Sequence, residues 1–323
     1  MPGPLFGSPM LPLPRYSADA KWSGFALEWL VVALLTLGVF ALAPMAGLHI
    51  KAGLDDYRNA LMLAALGIAA RKFGYARLAC LLEYFALLMC AATVILVAIY
   101  IGMGNAGPLW DKSFLAADRA LGFDWLGWFD FLGAHPALYR VLDSLYHNVG
   151  LAALYLVVLM SLMGNTARLR EIFWLLFVAG LLTALGGWAW PALGPFQQFG
   201  LQSHGPFLPE MQHLLSRRDL NFSLPKLQGV VSFPSYHTVL ALGLMMAFRG
   251  TGIIGWIVTA ACGAMLFSIP FFGGHYLVDV LAGAAVTVLS FAAIRLAMRL
   301  AELIRLGAGR RSALVYARAG QAG

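Results

Sequence analysis

Two short stretches of the chain hold side chains able to do nucleophilic and acid–base chemistry. One is Phe233-Pro234-Ser235-Tyr236-His237-Thr238. The other is Gly273-Gly274-His275-Tyr276-Leu277-Val278-Asp279. Each stands at the mouth of an apolar run. His275 and Asp279 are four apart at a predicted helix start, so they share one face and can hydrogen-bond. A carboxylate there fixes the imidazole tautomer and stabilises its charged form. That is the base and orienter of a nucleophilic site. His237, on a separate helix, can supply an acid. Ser235 stands where a helix N-cap is expected, and helix N-termini favour anions. Gly273 and Gly274 allow close backbone approach or a tight turn.

The elements that position these residues belong to a membrane protein. Of the 323 residues, 61% are hydrophobic and 11% charged, against roughly 25% charged in a soluble domain. Mean hydropathy is +0.78. So few charges cannot cover a water-facing surface, which excludes a soluble enzyme, a disordered chain and a disulfide scaffold. Cys80, Cys90 and Cys262 lie in apolar runs without metal-type spacing and read as small buried hydrophobes. Neither a metal nor a cofactor is expected.

A membrane span needs about 20 mostly apolar residues. Eight runs approach this: 25–46, 56–70, 78–102, 138–163, 171–191, 235–249, 252–272 and 276–300. The second and sixth are short. Open sheet edges cannot survive in lipid, so the predicted fold is an all-α integral membrane protein of about eight transmembrane helices. Residues 1–23, with five prolines, read as an irregular cytoplasmic arm and 24–102 as N-terminal transmembrane helices. Residues 103–137 read as an outer amphipathic loop, 138–304 as the catalytic transmembrane core and 305–323 as a basic cytoplasmic tail. The first apolar run starts too late and is too long for a signal peptide.

With both termini inside, 14 of the 22 lysines and arginines fall on the inner side and eight on the outer. That bias fits the positive-inside rule. It accounts for the net charge of +7 without a nucleic-acid partner. Both histidine motifs then open on the outer, periplasmic or lumenal face of a plasma (inner) membrane. The 103–137 loop, rich in Trp and Phe, reads as helices lying at the interface. Its two readings are a packing cap and a lid over a lipid-binding cavity.

The motifs PSYH (234–237) and GGHYLVD (273–279) resemble the second and third signatures of the type 2 phosphatidic acid phosphatase superfamily. In particular they look like the branch that includes inositol phosphorylceramide synthase. Asp118-Arg119-Ala120-Leu121-Gly122-Phe123 also looks like that branch. The resemblance covers roughly 165–300 and implies a six-helix core with extra N-terminal spans. It implies that His275 attacks phosphorus to form a phosphohistidine, that Asp279 orients it, and that His237 protonates the leaving oxygen and then deprotonates the acceptor. Ser235 would bond a phosphoryl oxygen. No metal is required.

The chain departs from the family pattern in its cations. No KxxxxxxRP motif precedes Pro234 at the right distance. Ser268-Ile269 stands where Ser-Arg is usual, and Tyr236 replaces a glycine. A phosphomonoester carries close to two charges and calls for a strong cationic clamp. A diester carries one. The losses therefore favour a phosphodiester donor such as a glycerophospholipid. Arg217, Arg218 and Lys226 are candidate substitutes. Gly274, Ser235, Lys226 and Arg218 form the expected phosphate-binding set.

Arg140, Asp143 and His147 share one helix face in the fourth run. Intramembrane polar groups usually face the protein interior or a polar cavity. They read either as an anchoring Arg140–Asp143 pair or as head-group or acceptor recognition. Glu83 is a weaker case. The expected function is a lipid phosphotransferase moving a phospho-head group to a lipid alcohol. The alternatives are a phosphatase acting on phosphatidate or polyprenyl (di)phosphate, and, in another class, a lipid transporter. A transporter would need paired discontinuous helices in repeated halves, and no internal repeat is evident. The expected partners are membrane lipids as donor and acceptor, with no obligatory protein partner.

Overall fold

Each of the eight apolar runs is helical. The computed structural model describes residues 25–320, with side chains through residue 300, so the arm expected over 1–23 lies outside the described residues. Helices α1 (Ala26–Met45), α2 (Leu54–Lys72) and α3 (Ala76–Gly104) form the N-terminal part. The 103–137 connection folds into α4 (Asp111–Ala120) and α5 (Trp125–Gly133). Next come α6 (Pro136–His147), α7 (Val149–Leu162) and α8 (Thr166–Ala189). The second long connection holds the short α9 (Pro195–Gln198) and α10 (Leu208–Ser216). Helices α11 (Tyr236–Ala247), α12 (Ile253–Phe272) and α13 (Leu277–Gly320) complete the chain.

Five helices are long and apolar enough to cross a membrane: α1, α3, α8, α12 and Leu277–Leu300 of α13. The count is six if α6 and α7 form one span bent by 48°. Two of the eight expected spans fall short. Helix α2 is apolar only in its middle, with Asp55 and Asp56 in its first turn and Arg71 and Lys72 in its last. Helix α11 has 12 residues, well below the ~20 that span a bilayer.

Helix α2 lies antiparallel against α3, where Gly67 meets the Glu83 side chain. Arg71 donates to both oxygens of Glu83 at 2.8 Å. A buried charge needs such a partner, so Glu83 is a tie between helices. Glu28 and Glu171 are likewise buried, and pair with Arg170 and with Arg249 and Arg295. These ion pairs lie at the end of the bundle away from the histidine motifs. The all-helical expectation has one small exception. His49–Lys51 pairs in parallel with Asn221–Ser223, tying the α1–α2 turn to the second long connection.

Helix α6 starts on Pro136 at its first position, where a missing N–H costs nothing. It breaks at Asn148, whose side-chain amide donates to the Ser144 carbonyl at 2.8 Å. Such local bonding competes with the helical ladder. The bend leaves Tyr146 buried and aimed at α11.

Candidate active site

His275 and Asp279 meet as their spacing requires. His275 Nδ1 lies 3.3 Å from Asp279 Oδ2, with both side chains buried. The same oxygen accepts the Ser232 hydroxyl and the Tyr276 amide, each at 2.9 Å. Asp279 is thereby fixed, and Nε2 of His275 is the ring nitrogen left free. The ring of His237 lies 6.3 Å from that of His275, centroid to centroid. That is too far for a direct bond, and close enough for one tetrahedral group to touch both.

Two features bring α11 and α13 this close. The Ser235 amide donates to the Asp279 carbonyl at 3.0 Å. Gly283, one turn beyond Asp279, faces α11, where a Cβ would stand 2.4 Å from the Ser235 carbonyl oxygen. Ser235 is buried, and its hydroxyl oxygen accepts the Thr238 amide as the N-cap of α11. Tyr236 turns away to donate to Leu176 O of α8 at 3.2 Å.

The 103–137 connection holds the start of α13. Asp118 accepts the amides of Leu277 and Val278 at 2.8 and 3.0 Å. Burial raises its carboxyl above the ordinary aspartate range, although both amides pull the other way. Asp111 accepts the amides of Leu193 and Gly194 and the Tyr276 hydroxyl. Burial first, then the Asp111 charge, raises the Tyr276 phenol and keeps it a donor. Trp125 Nε1 reaches the carbonyls of Pro270 and His275 at 3.2 and 3.1 Å. Its ring stacks on Phe129 and Phe199.

The residues expected to bind phosphate lie in different surroundings. The amides at the start of α13 are taken by Asp118, so that helix end offers them to no external anion. Gly274 has φ +59, a left-handed turn that glycine adopts without strain. Its Cβ position abuts the Phe196 ring, so packing and the turn explain it. Gly273 is the glycine at the site: a Cβ there would meet His275 Cδ2 at 2.5 Å and Tyr146 Oη at 2.8 Å. Lys226 and Arg218 are exposed, and no bond joins either side chain to the histidine pair among the described residues. Arg217 donates to Ala106 O at 2.9 Å. Ile269 is fully buried in the apolar core.

Arg140 is exposed, and the expected Arg140–Asp143 pair gives way to Asp143–His147 at 3.1 Å. His147 and Asp143 lie on the open side of α6, and the residue of that helix reaching the site is Tyr146. Its hydroxyl lies 3.3 Å from His237 Nδ1, with the rings stacked at 4.5 Å. Tyr146, Ser232, Asp111 and Trp125 carried no spacing signal, because their partners are far away in sequence. Asp118 had one, in the Asp118–Phe123 stretch.

A bundle of apolar helices with two histidines and an aspartate gathered at one end is a multi-pass membrane protein with a candidate site of histidine chemistry. A model of the PAP2 superfamily matches residues 112–293, from α4 into α13, and the chain belongs to that superfamily. No curated protein and no solved structure matches it. Membership supports a phosphatase or phosphotransferase type of activity on lipid phosphates.

Proposed function

We propose that the protein is a lipid phosphotransferase that moves a phospho-head group from a phosphodiester donor to a lipid alcohol. The observation that carries this reading is the buried His275–Asp279 pair facing His237 across 6.3 Å, with a buried isoleucine where the family arginine stands. Nε2 of His275 attacks phosphorus, and the P–O bond to diacylglycerol breaks. The departing oxygen takes a proton from His237. The acceptor hydroxyl then gives His237 a proton as its oxygen attacks phosphorus, and the P–N bond returns its electrons to His275. This is covalent catalysis with general acid–base help. Ser235 caps α11 through an acceptor lone pair, which leaves its hydroxyl proton for a phosphoryl oxygen. The site faces the outer side of the membrane, with both termini in the cytoplasm, as the charge bias suggests.

The test follows head-group release from labelled phospholipids, with and without a lipid alcohol, for wild type and His275→Ala. Acceptor-dependent formation of a new phospholipid, lost in the variant, supports transfer. Release of inorganic phosphate from phosphatidate at comparable rates would put the phosphatase reading first. Equal activity in the two proteins removes His275 as nucleophile.

A further inference from the structure

We infer that Tyr146 is a positioning residue that locks the tautomer of His237 by accepting a hydrogen bond from its Nδ1. The inference rests on the acid–base role given to His237 above. Tyr146 comes from α6, outside both histidine motifs. Its hydroxyl lies 3.3 Å from Nδ1, and its ring stacks on the imidazole at 4.5 Å and 25°. His237 is thus held in orientation by a face and in register by one polar atom. Of the other titratable groups, His275 from the start of α13 faces it, while His147, exposed on the open side of α6 and paired with Asp143, acts on it only through its charge.

The direction of the bond follows from the proton cycle. An imidazolium has two N–H donors and no acceptor. In the state that protonates the leaving oxygen, the Tyr146 oxygen must therefore accept from Nδ1. Once Nε2 has given up its proton, the same bond keeps the remaining proton on Nδ1. Nε2 is then left with a lone pair to take the proton of the acceptor hydroxyl. Were Tyr146 to donate instead, neutral His237 would carry its proton on Nε2 and could not act as that base. A single contact thus serves both half-reactions. Gly273 makes room for it, since a Cβ there would stand 2.8 Å from Tyr146 Oη.

Leaving-group dependence separates positioning from packing. The probes are micelles of mixed phosphatidylethanolamine, phosphatidylglycerol and phosphatidylinositol, read by diacylglycerol release, and bis(p-nitrophenyl) phosphate, read by burst of p-nitrophenolate. The second leaving group departs without a proton. Tyr146→Phe keeps the stacked ring and removes the oxygen. Its diacylglycerol release is expected to fall about tenfold or more, the scale of losing one hydrogen bond to a charged group. The p-nitrophenolate burst should stay within about twofold of wild type, with His237→Ala showing the same split more strongly. Equal loss on both probes would overturn the inference and leave Tyr146 a packing residue. Equal activity of His275→Ala and wild type on both would sink the underlying reaction instead. Nitrogen-15 spectra of the histidines, taken at a pH where His237 is neutral, give a readout without turnover: His237 should be the Nδ1–H tautomer in wild type and shift toward Nε2–H in Tyr146→Phe. An unchanged tautomer also overturns the inference.

Discussion

Asp118 and Leu277 are 159 residues apart in sequence and are joined by a 2.8 Å bond from the Leu277 amide to the Asp118 carboxylate. With the Val278 bond beside it, a helix from one connection caps the helix that carries Asp279. His275 stands two residues before that cap. Asp118→Ala leaves two part-buried amides without acceptors, a cost of about 1 kcal/mol each, at the low end for an unsatisfied donor. Head-group release should fall at least tenfold and the melting temperature should drop. Asp118→Asn keeps one acceptor and should lie between. Wild-type turnover in Asp118→Ala would show that the cap does not position the site.

Gly283 sets the separation of α11 and α13. A methyl group there meets the Ser235 carbonyl at 2.4 Å, so the helices must part. Overpacking of this kind costs about 1–3 kcal/mol. Gly283→Ala should fold, melt earlier, and lose head-group release by about tenfold, because His237 moves from His275. Undiminished release in a folded Gly283→Ala protein contradicts the close-packing account.

Trp125→Phe keeps an aromatic ring between Phe129 and Phe199 and removes the donor to Pro270 and His275. One lost bond is worth about 1 kcal/mol. A several-fold drop in turnover with a small fall in melting temperature is expected. An unchanged rate would mean that the backbone of His275 is held well enough by Asp111 and Asp118.

Much of this arrangement was legible in the sequence. The i, i+4 spacing of His275 and Asp279 placed their bond, and the Ser before an apolar run placed the α11 cap. Both are local and depend on helical period alone. The partners of Asp111, Asp118, Trp125 and Tyr146 depend on how distant segments fold together, which no spacing records. Arg140 and Asp143 looked like a pair by their i, i+3 spacing, yet Asp143 meets His147 one turn on. Of the expected spans, α2 and α11 fall short by length and composition, because charge in α2 and brevity in α11 oppose hydropathy.

Lys226 and Arg218 separate the diester from the monoester reading. Both are exposed and bonded to neither histidine among the described residues, so alanine at either should change turnover less than about threefold, in line with weak surface charge effects. A loss of tenfold or more in turnover for either would bring a cation into the site and favour a monoester substrate.

The central claim is a phosphohistidine at His275, and trapping it tests that claim most directly. The protein is mixed with phospholipid labelled in phosphorus and in the head group, without an acceptor alcohol, and quenched in base. Both labels should stay on wild-type protein, be released by acid, map to His275, and be absent from His275→Ala. Label that persists in His275→Ala, or no label on wild type while head group is being transferred, would contradict the account.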